Sequence, residues 1–214
     1  MEKKPDFKAM SARTKVEYVW DYYKWHIIGA VTAAAALFST VRHFVTYQEP
    51  ALSVIMINSS SMDTDGDGFD EFLEAYGHNP EEEWIALSTN IFFSEDSAAE
   101  SVTSIQLLAA MVAAGDQDLF FGTGDIYLDY ADQGALTDLS EVLPSDILEQ
   151  YKSSLIYTTE DGSAEAYPCA IELSQNAWLS ENHYYDTCYF GIFYNAPHME
   201  TAREFAEFLL TSRS

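Results

Sequence analysis

The chain has 214 residues, of which 48% are hydrophobic and 14% aromatic, enough for a packed core and too apolar for wholesale disorder. Acidic residues number 35 against ten basic ones, a formal net charge of −25. The imbalance is segregated: Lys3, Lys4, Lys8, Arg13, Lys15, Lys24 and Arg42 precede Tyr47 with only four acids, and the remainder carries 31 acids against three bases, a net of −28. Such a surface repels nucleic acid and anionic lipid, and it excludes a nucleic-acid-binding role.

The first element reads as a membrane segment. Trp25 to Val41, WHIIGAVTAAAALFSTV, lies between Lys24 and Arg42 and holds no ionisable residue except His26. As a helix it covers about 26 Å, slightly short of a ~30 Å hydrocarbon core. The following HFVTY adds apolar and aromatic length, and Arg42 can snorkel outward. Trp20, Tyr22, Tyr23 and Trp25 supply an aromatic belt at the near end and Tyr47 at the far end. The basic residues come first, so the expected order is a cytoplasmic tail over 1–24, a transmembrane signal-anchor helix over 25–47 and an extracytoplasmic acidic domain over 48–214. The cell membrane is then the first partner. A cleaved signal peptide is the rival reading. The long tail with YVWDYYKW is unlike a short basic leader. A buried helix of a soluble protein is the other, and the basic flank and aromatic girdle speak against it.

After a short QEPA linker, LSVIMIN (Leu52 to Asn58) is a continuous apolar run rich in β-branched residues, as in a buried parallel strand. DTDGDGFDEFLE (Asp63 to Glu74) follows and runs into a helix that stops at Gly77. A second strand is expected near Trp84–Leu87. SAAESVTSIQLLAAMVAAG reads as a helix with Ser97 as cap, Glu100 three residues later and Gly115 as stop. A third strand is expected around Gly124–Leu128, with Ile126–Leu128 beside Leu52–Asn58 and Ile105–Ala114 helical against the sheet. ALTDLSEVLPSDILEQY gives a turn and one or two short helices. EAYPCAIEL and CYFGIFYN read as strands. METAREFAEFLLTS is an amphipathic helix with Phe205, Phe208 and Leu209 on one side. Strands alternating with helices imply βαβ units, hence α/β class: a single transmembrane helix followed by one open, mostly parallel sheet.

The acidic loop matches D-x-D-x-D-G-x5-E at every specified position, the spacing of a calcium loop. Asp63, Asp65 and Asp67 would supply carboxylates, Phe69 its backbone carbonyl, Glu71 a direct or water-bridged contact and Glu74 a bidentate carboxylate, so calcium is the expected cofactor. Asp70 departs from the aliphatic residue usual at the eighth position, and the incoming element reads as a strand. The competing reading is a solvated acidic turn at a helix N-terminus. Gly122, Thr123, Gly124 and Asp125 lie where strand meets loop, the place where open α/β sheets bind ligands. A phosphate cradle is excluded by the lack of a nearby Lys or Arg. Cys169 and Cys188 permit a disulfide in an oxidising compartment, or are two small buried hydrophobes.

The segment LLAAMVAAGDQDLFFGTGDIYLDYADQGALTDLSEVLP resembles the first lobe of extracellular solute-binding proteins of the type-two periplasmic-binding fold: a helix, a glycine stop, an Asp-hydrophobic strand, a short loop and a "gal-dL" turn. AYPCAIEL is similar to that family's Y-x-hydrophobic-P strand, and FGIFYNAPHMETAREFAEFLL to its closing strand and helix. The resemblance runs from roughly Leu52 to Leu210. It implies a lobe of a two-lobed solute-capturing protein. About 45 residues follow Pro168, so the expectation is a truncated, membrane-anchored single lobe.

His78, His183 and His198 have no metal-site spacing, and no nucleophile–base pair stands out, so no enzyme is expected. His183 with Asp186 or Cys188 is an imaginable pair, outweighed by an ordinary surface histidine. Two function classes follow: a membrane-tethered binding module for a small solute or a neighbouring protein, or a non-catalytic structural component of the envelope.

Overall fold

The computed structural model describes residues 12–46, 49–61, 65–80, 82–93, 98–159 and 165–211. It divides into two compact units, Met1–Gln48 and Glu49–Ser214.

The first unit is one helix, α1 (Ala12–Thr46), 35 residues long. It holds no proline, and its Ala-rich middle has high helix propensity. Within it, Tyr23–Arg42 is a 20-residue stretch of mean hydropathy 1.2 with none of its surface buried, long and apolar enough to cross a membrane. The Thr32 and Thr40 hydroxyls donate to the Ile28 and Ala36 carbonyls, each at 2.9 Å. Both threonine hydroxyls of the apolar stretch thus find partners inside the helix, as hydrocarbon would require.

The second unit is an open mixed α/β sheet of six strands in the order β2-β1-β3-β6-β5-β4. The strands are β1 (Leu52–Ile57), β2 (Ile85–Ile91), β3 (Leu119–Gly122), β4 (Leu155–Thr159), β5 (Ala166–Ser174) and β6 (Thr187–Ile192). The helices are α2 (Asp70–Ala75), α3 (Ala98–Ala114), α4 (Asp125–Asp132), α5 (Leu139–Val142), α6 (Ser145–Gln150), α7 (Ala177–Glu181) and α8 (Met199–Thr211). β1 pairs in parallel with both β2 and β3. β6 runs antiparallel to β3 and to β5, and β4 antiparallel to β5. The parallel pattern therefore holds for the β2-β1-β3 half only. Elsewhere the six-residue link 160–165 between β4 and β5 is too short for a crossover, and the strands run antiparallel.

The continuous apolar run of β1 is explained by burial on both faces. Leu52, Val54 and Met56 enter one core with Phe72, Phe121, Phe190 and Phe205, while Ile55 and Ile57 enter a second with Leu108, Phe120, Tyr127 and Phe193. β3 divides its two phenylalanines the same way. α2, α7 and α8 close the first face, and α3 and α4 the second. α8 buries Phe205, Phe208 and Leu209, as its amphipathic spacing requires. Its C-terminal carbonyls are capped from afar: Tyr151 Oη donates to Leu210 O at 3.1 Å and Asn176 Nδ2 to Leu209 O at 3.0 Å.

Two sequence expectations need correction. The third strand is Leu119–Gly122, and Ile126–Leu128 lies in α4 instead. The apolar period there is helical, with Tyr127 and Ala131 buried four residues apart. β4, which no sequence feature announced, adds an edge strand. The two cysteines are free. Cys188 belongs to the first core and Cys169 to the second, on opposite faces of the sheet, so this fold does not join them. Burial pushes the Cys169 thiol up to about 11 and raises that of Cys188 as well, which leaves both inert at neutral pH.

The sheet is fastened at the start of β3 by Asp118, which is fully buried. Its Oδ2 accepts from Ser53 N at 2.8 Å and lies 2.9 Å from His198 Nδ1, and its Oδ1 accepts from His198 N at 2.8 Å. Backbone bonds add Asp118 N to Ser53 O and Phe193 N to Asp118 O. Asp118→Ala should destabilise the full chain by about 3–5 kcal/mol, the cost of stranding buried partners of a charged group. Thermal unfolding in detergent checks this, and a loss under 1 kcal/mol would show the carboxylate to be dispensable.

Candidate functional site

The C-terminal ends of β1, β2 and β3 meet at one edge of the sheet, and Asn58 joins them. It sits just past β1 with φ of 55°, a conformation asparagine tolerates. Its backbone N donates to Ile91 O at 2.9 Å, its Oδ1 accepts from Phe93 N at 2.7 Å, and its Nδ2 lies 3.4 Å from Thr123 Oγ1. Three loops are thereby held together by one side chain. Sequence reasoning passed over Asn58, whose only signal is a polar residue closing an apolar strand.

Gly122, Thr123, Gly124 and Asp125 sit at this crevice. Gly122 ends β3 in close packing, since a Cβ there would run into the side chains of Ile57 and Tyr127. Gly124 has φ 83° and ψ −179°, a region open in practice to glycine alone, and it sets the N-terminus of α4. Thr123 is half-buried, and Gly124 and Asp125 are exposed. Asp125 occupies the first turn of α4 and already places a negative charge against the helix dipole. Both glycines thus have a packing or conformational reason to be there.

The acidic loop leaves the same edge. Asp63 lies outside the described residues. Asp65 and Asp67 are exposed, as are Glu71 and Glu74 on α2. Phe69 buries its side chain entirely, against Trp178 and Phe205 with ring centroids 5.0 Å away in both cases. The left-handed residue is Gly66, with φ 78°, and residues Asp67–Phe69 form a tight helical turn that leads into α2. In the calcium-loop numbering the sharp turn falls at the fourth position, not the sixth. The Gly68 carbonyl accepts from Trp178 Nε1 at 3.0 Å. The strand-end segment is braced too: Ser60 N donates to Tyr184 O at 2.9 Å and Tyr185 Oη to Ile57 O at 2.8 Å. Burial raises the Tyr185 hydroxyl well above the ordinary tyrosine value, so it remains a donor. Among the described residues, no group of three His, Cys, Asp or Glu side chains is arranged to hold a metal.

The histidines read as isolated are not all so. His78 Nδ1 lies 2.5 Å from Glu83 Oε2 and its Nε2 3.6 Å from Glu204 Oε2, tying α2's exit to α8. His198 lies on Asp118. Both contacts join elements of the fold.

A cleft of about 810 Å³ opens at the opposite end of the sheet, where β1–β3 begin. Asp132, Asp138 and Glu141 line it with Gln133, Tyr167 and Tyr194. These residues come from the end of α4, from α5 and the residue before it, from β5 and from the turn after β6. Asp138 Oδ1 accepts from Ser140 N at 2.8 Å and so caps α5. Carboxylates and tyrosine rings make walls that suit a cation and repel an anion.

Comparison of the chain with protein-family models, with curated proteins and with solved structures gives no match.

Proposed function

We propose that this chain is a membrane-anchored extracytoplasmic binding module, resembling one lobe of a solute-binding protein, that takes up a small cationic solute. The observation that carries the reading is the 810 Å³ cleft with its carboxylate and tyrosine lining, a volume within the ~300–1,000 Å³ of small-molecule sites. The apolar stretch of α1 and the basic, aromatic sequence ahead of it support the anchor. The resemblance rests on the sequence motifs between Leu52 and Leu210. With α7 the only helix between β5 and β6, the solute is held by one lobe's surface instead of between two.

The topology is tested in intact cells with a membrane-impermeant maleimide. A cysteine placed at Glu149, exposed on α6, should label, and one placed at Ser11 should not. The reverse pattern would put the acidic unit inside the cell.

Binding is tested by calorimetry on the full chain in detergent, with 1,4-diaminobutane as the probe and succinate as the anionic control. The diamine should bind saturably and succinate not at all. Glu141→Gln and Asp132→Asn should each weaken the diamine by about tenfold, the worth of one charge-assisted contact. Equal heats for the two probes would sink the small-cation reading.

Calcium belongs to the same proposal, on the spacing of Asp63, Asp65, Asp67, Phe69, Glu71 and Glu74. If it fills the loop, calcium at ten times its dissociation constant should stabilise the full chain by about 1.4 kcal/mol, well beyond magnesium, and Glu74→Ala should remove the gain. Equal shifts for the two ions, unchanged by that substitution, would leave an acidic turn that responds only to screening.

A further inference from the structure

Two surfaces of the second unit, the outer edge of β2 and the outward face of α3, have no use in the fold or the cleft, and they adjoin. The first is strand β2, which among the described residues is an outer strand of the sheet with β1 on one side only. Edge strands are usually protected by lysine, proline or inward charge, because their open row of peptide groups can pair with another chain. From Trp84 to Ser94 the sequence has no proline and no ionisable residue. The one irregularity is an extra residue on β2 between Ser88 and Ile91, and Ile85–Ser88 pair regularly with β1. Ionisable residues bracket both outer strands, Glu83 and Glu95 for β2 and Lys152 and Glu160 for β4.

The second feature is α3, which packs on the β2 side of the sheet through Leu108. Much of its outward surface is apolar as well, with Thr103 and Gln106 the exposed polar residues between Val102 and Ala114. Val102 is 54% exposed, Ile105 46% and Leu107 39%, and Ala109, Ala110, Ala113 and Ala114 are exposed beside them. No ionisable residue occurs from Ser101 to Gly115. An exposed helix this free of charge is out of place on a surface of net −28, and contiguous apolar patches of this kind mark contact sites.

We propose that two copies of this chain pair through the β2 edge and the outward face of α3. Charge selects the occupant. The rest of the unit is strongly acidic, and like charges brought together cost several kcal/mol per pair; this patch holds no ionisable residue from Trp84 to Ser94 or from Ser101 to Gly115, and Glu83, Glu95 and Glu100 flank it in sequence. An anionic lipid surface is disfavoured, because α3 lacks the Lys and Arg of interfacial helices and the rest of the unit is repelled. A two-fold axis beside β2 sets Ile85–Ser88 antiparallel to its own copy, extends the sheet to twelve strands, and brings α3 against α3 on the same face. The alanines of α3 let the two helices approach closely.

The test uses the full chain in detergent and in membranes. Cysteines placed singly at Ile105 and Ala109 should give a dimer with a short bismaleimide, and one placed at Glu149 should not. The native thiols are buried, so the wild-type chain supplies the background. The dimer fraction by light scattering should rise from 0.01 to 0.15 M salt, as the screening length falls from ~30 to ~8 Å. Ala109→Glu should weaken pairing by at least about tenfold while leaving the circular dichroism unchanged. Mixing Ala109→Glu with Ala109→Lys chains should restore it. A monomer at every salt concentration overturns the proposal. So does a dimer indifferent to Ala109→Glu, which would place the contact elsewhere, including in α1. Cross-linking at Ile105 to a different protein, with none between copies, also overturns it.

Discussion

One buried carboxylate is the constraint on which the second unit depends. Asp118 precedes the apolar run of β3 and has no access to water. It is tolerable there because donors from β1 and from the start of α8 converge on it. Those bonds set the height of β3 against β1 and fix where α8 begins. With α8 so placed, Phe205 lands between Phe69, Phe72 and Trp178, and the first core closes. The acidic loop takes its shape from the same cluster, since Phe69 and the Trp178 bond to Gly68 hold it down.

Much of this was legible. β1 announced itself because a strand buried on both faces must be apolar without interruption. α8 did so because a helix over a sheet must be apolar along one stripe, and α3 through its length and its glycine stop. The GTGD stretch marked a real strand end. The error of placing β3 a few residues late has a plain cause: an apolar run as short as IYL reads as strand or helix alike, and the helical signal lies in the acids at 125, 129 and 132, spaced four and three apart. β4 is five residues of mixed character, and its pairing with β5 depends on a partner strand the local sequence does not describe. β5 and β6 were read as strands, and what was missed in that half was their antiparallel direction.

The candidate site divides the same way. Gly122 to Asp125 could be found because glycine at a strand end is a local signal. Asn58 could not, because its role is to reach three loops separated by 35 and 65 residues along the chain. The cleft residues are scattered from Asp132 to Tyr194 and share no motif. Asp118 was visible only as one letter of the Asp-hydrophobic strand. Charge, by contrast, was legible from the outset, and the structure gives it a geography. Acids crowd the cleft and the loop, and they are absent from β2 and from α3 beyond Glu100.

The fastening of α8 has a consequence for how the chain is made. The first core gathers β1, which leaves the ribosome early, with α8, about 150 residues later. The carbonyls at the end of α8 are held by Tyr151 and Asn176, and its beginning by Asp118. No early portion of the sheet can therefore finish its packing during synthesis. β1, β2 and β3 must wait, with one apolar face uncovered, until α8 emerges. Long-range closure of this kind slows folding and prolongs exposure to aggregation.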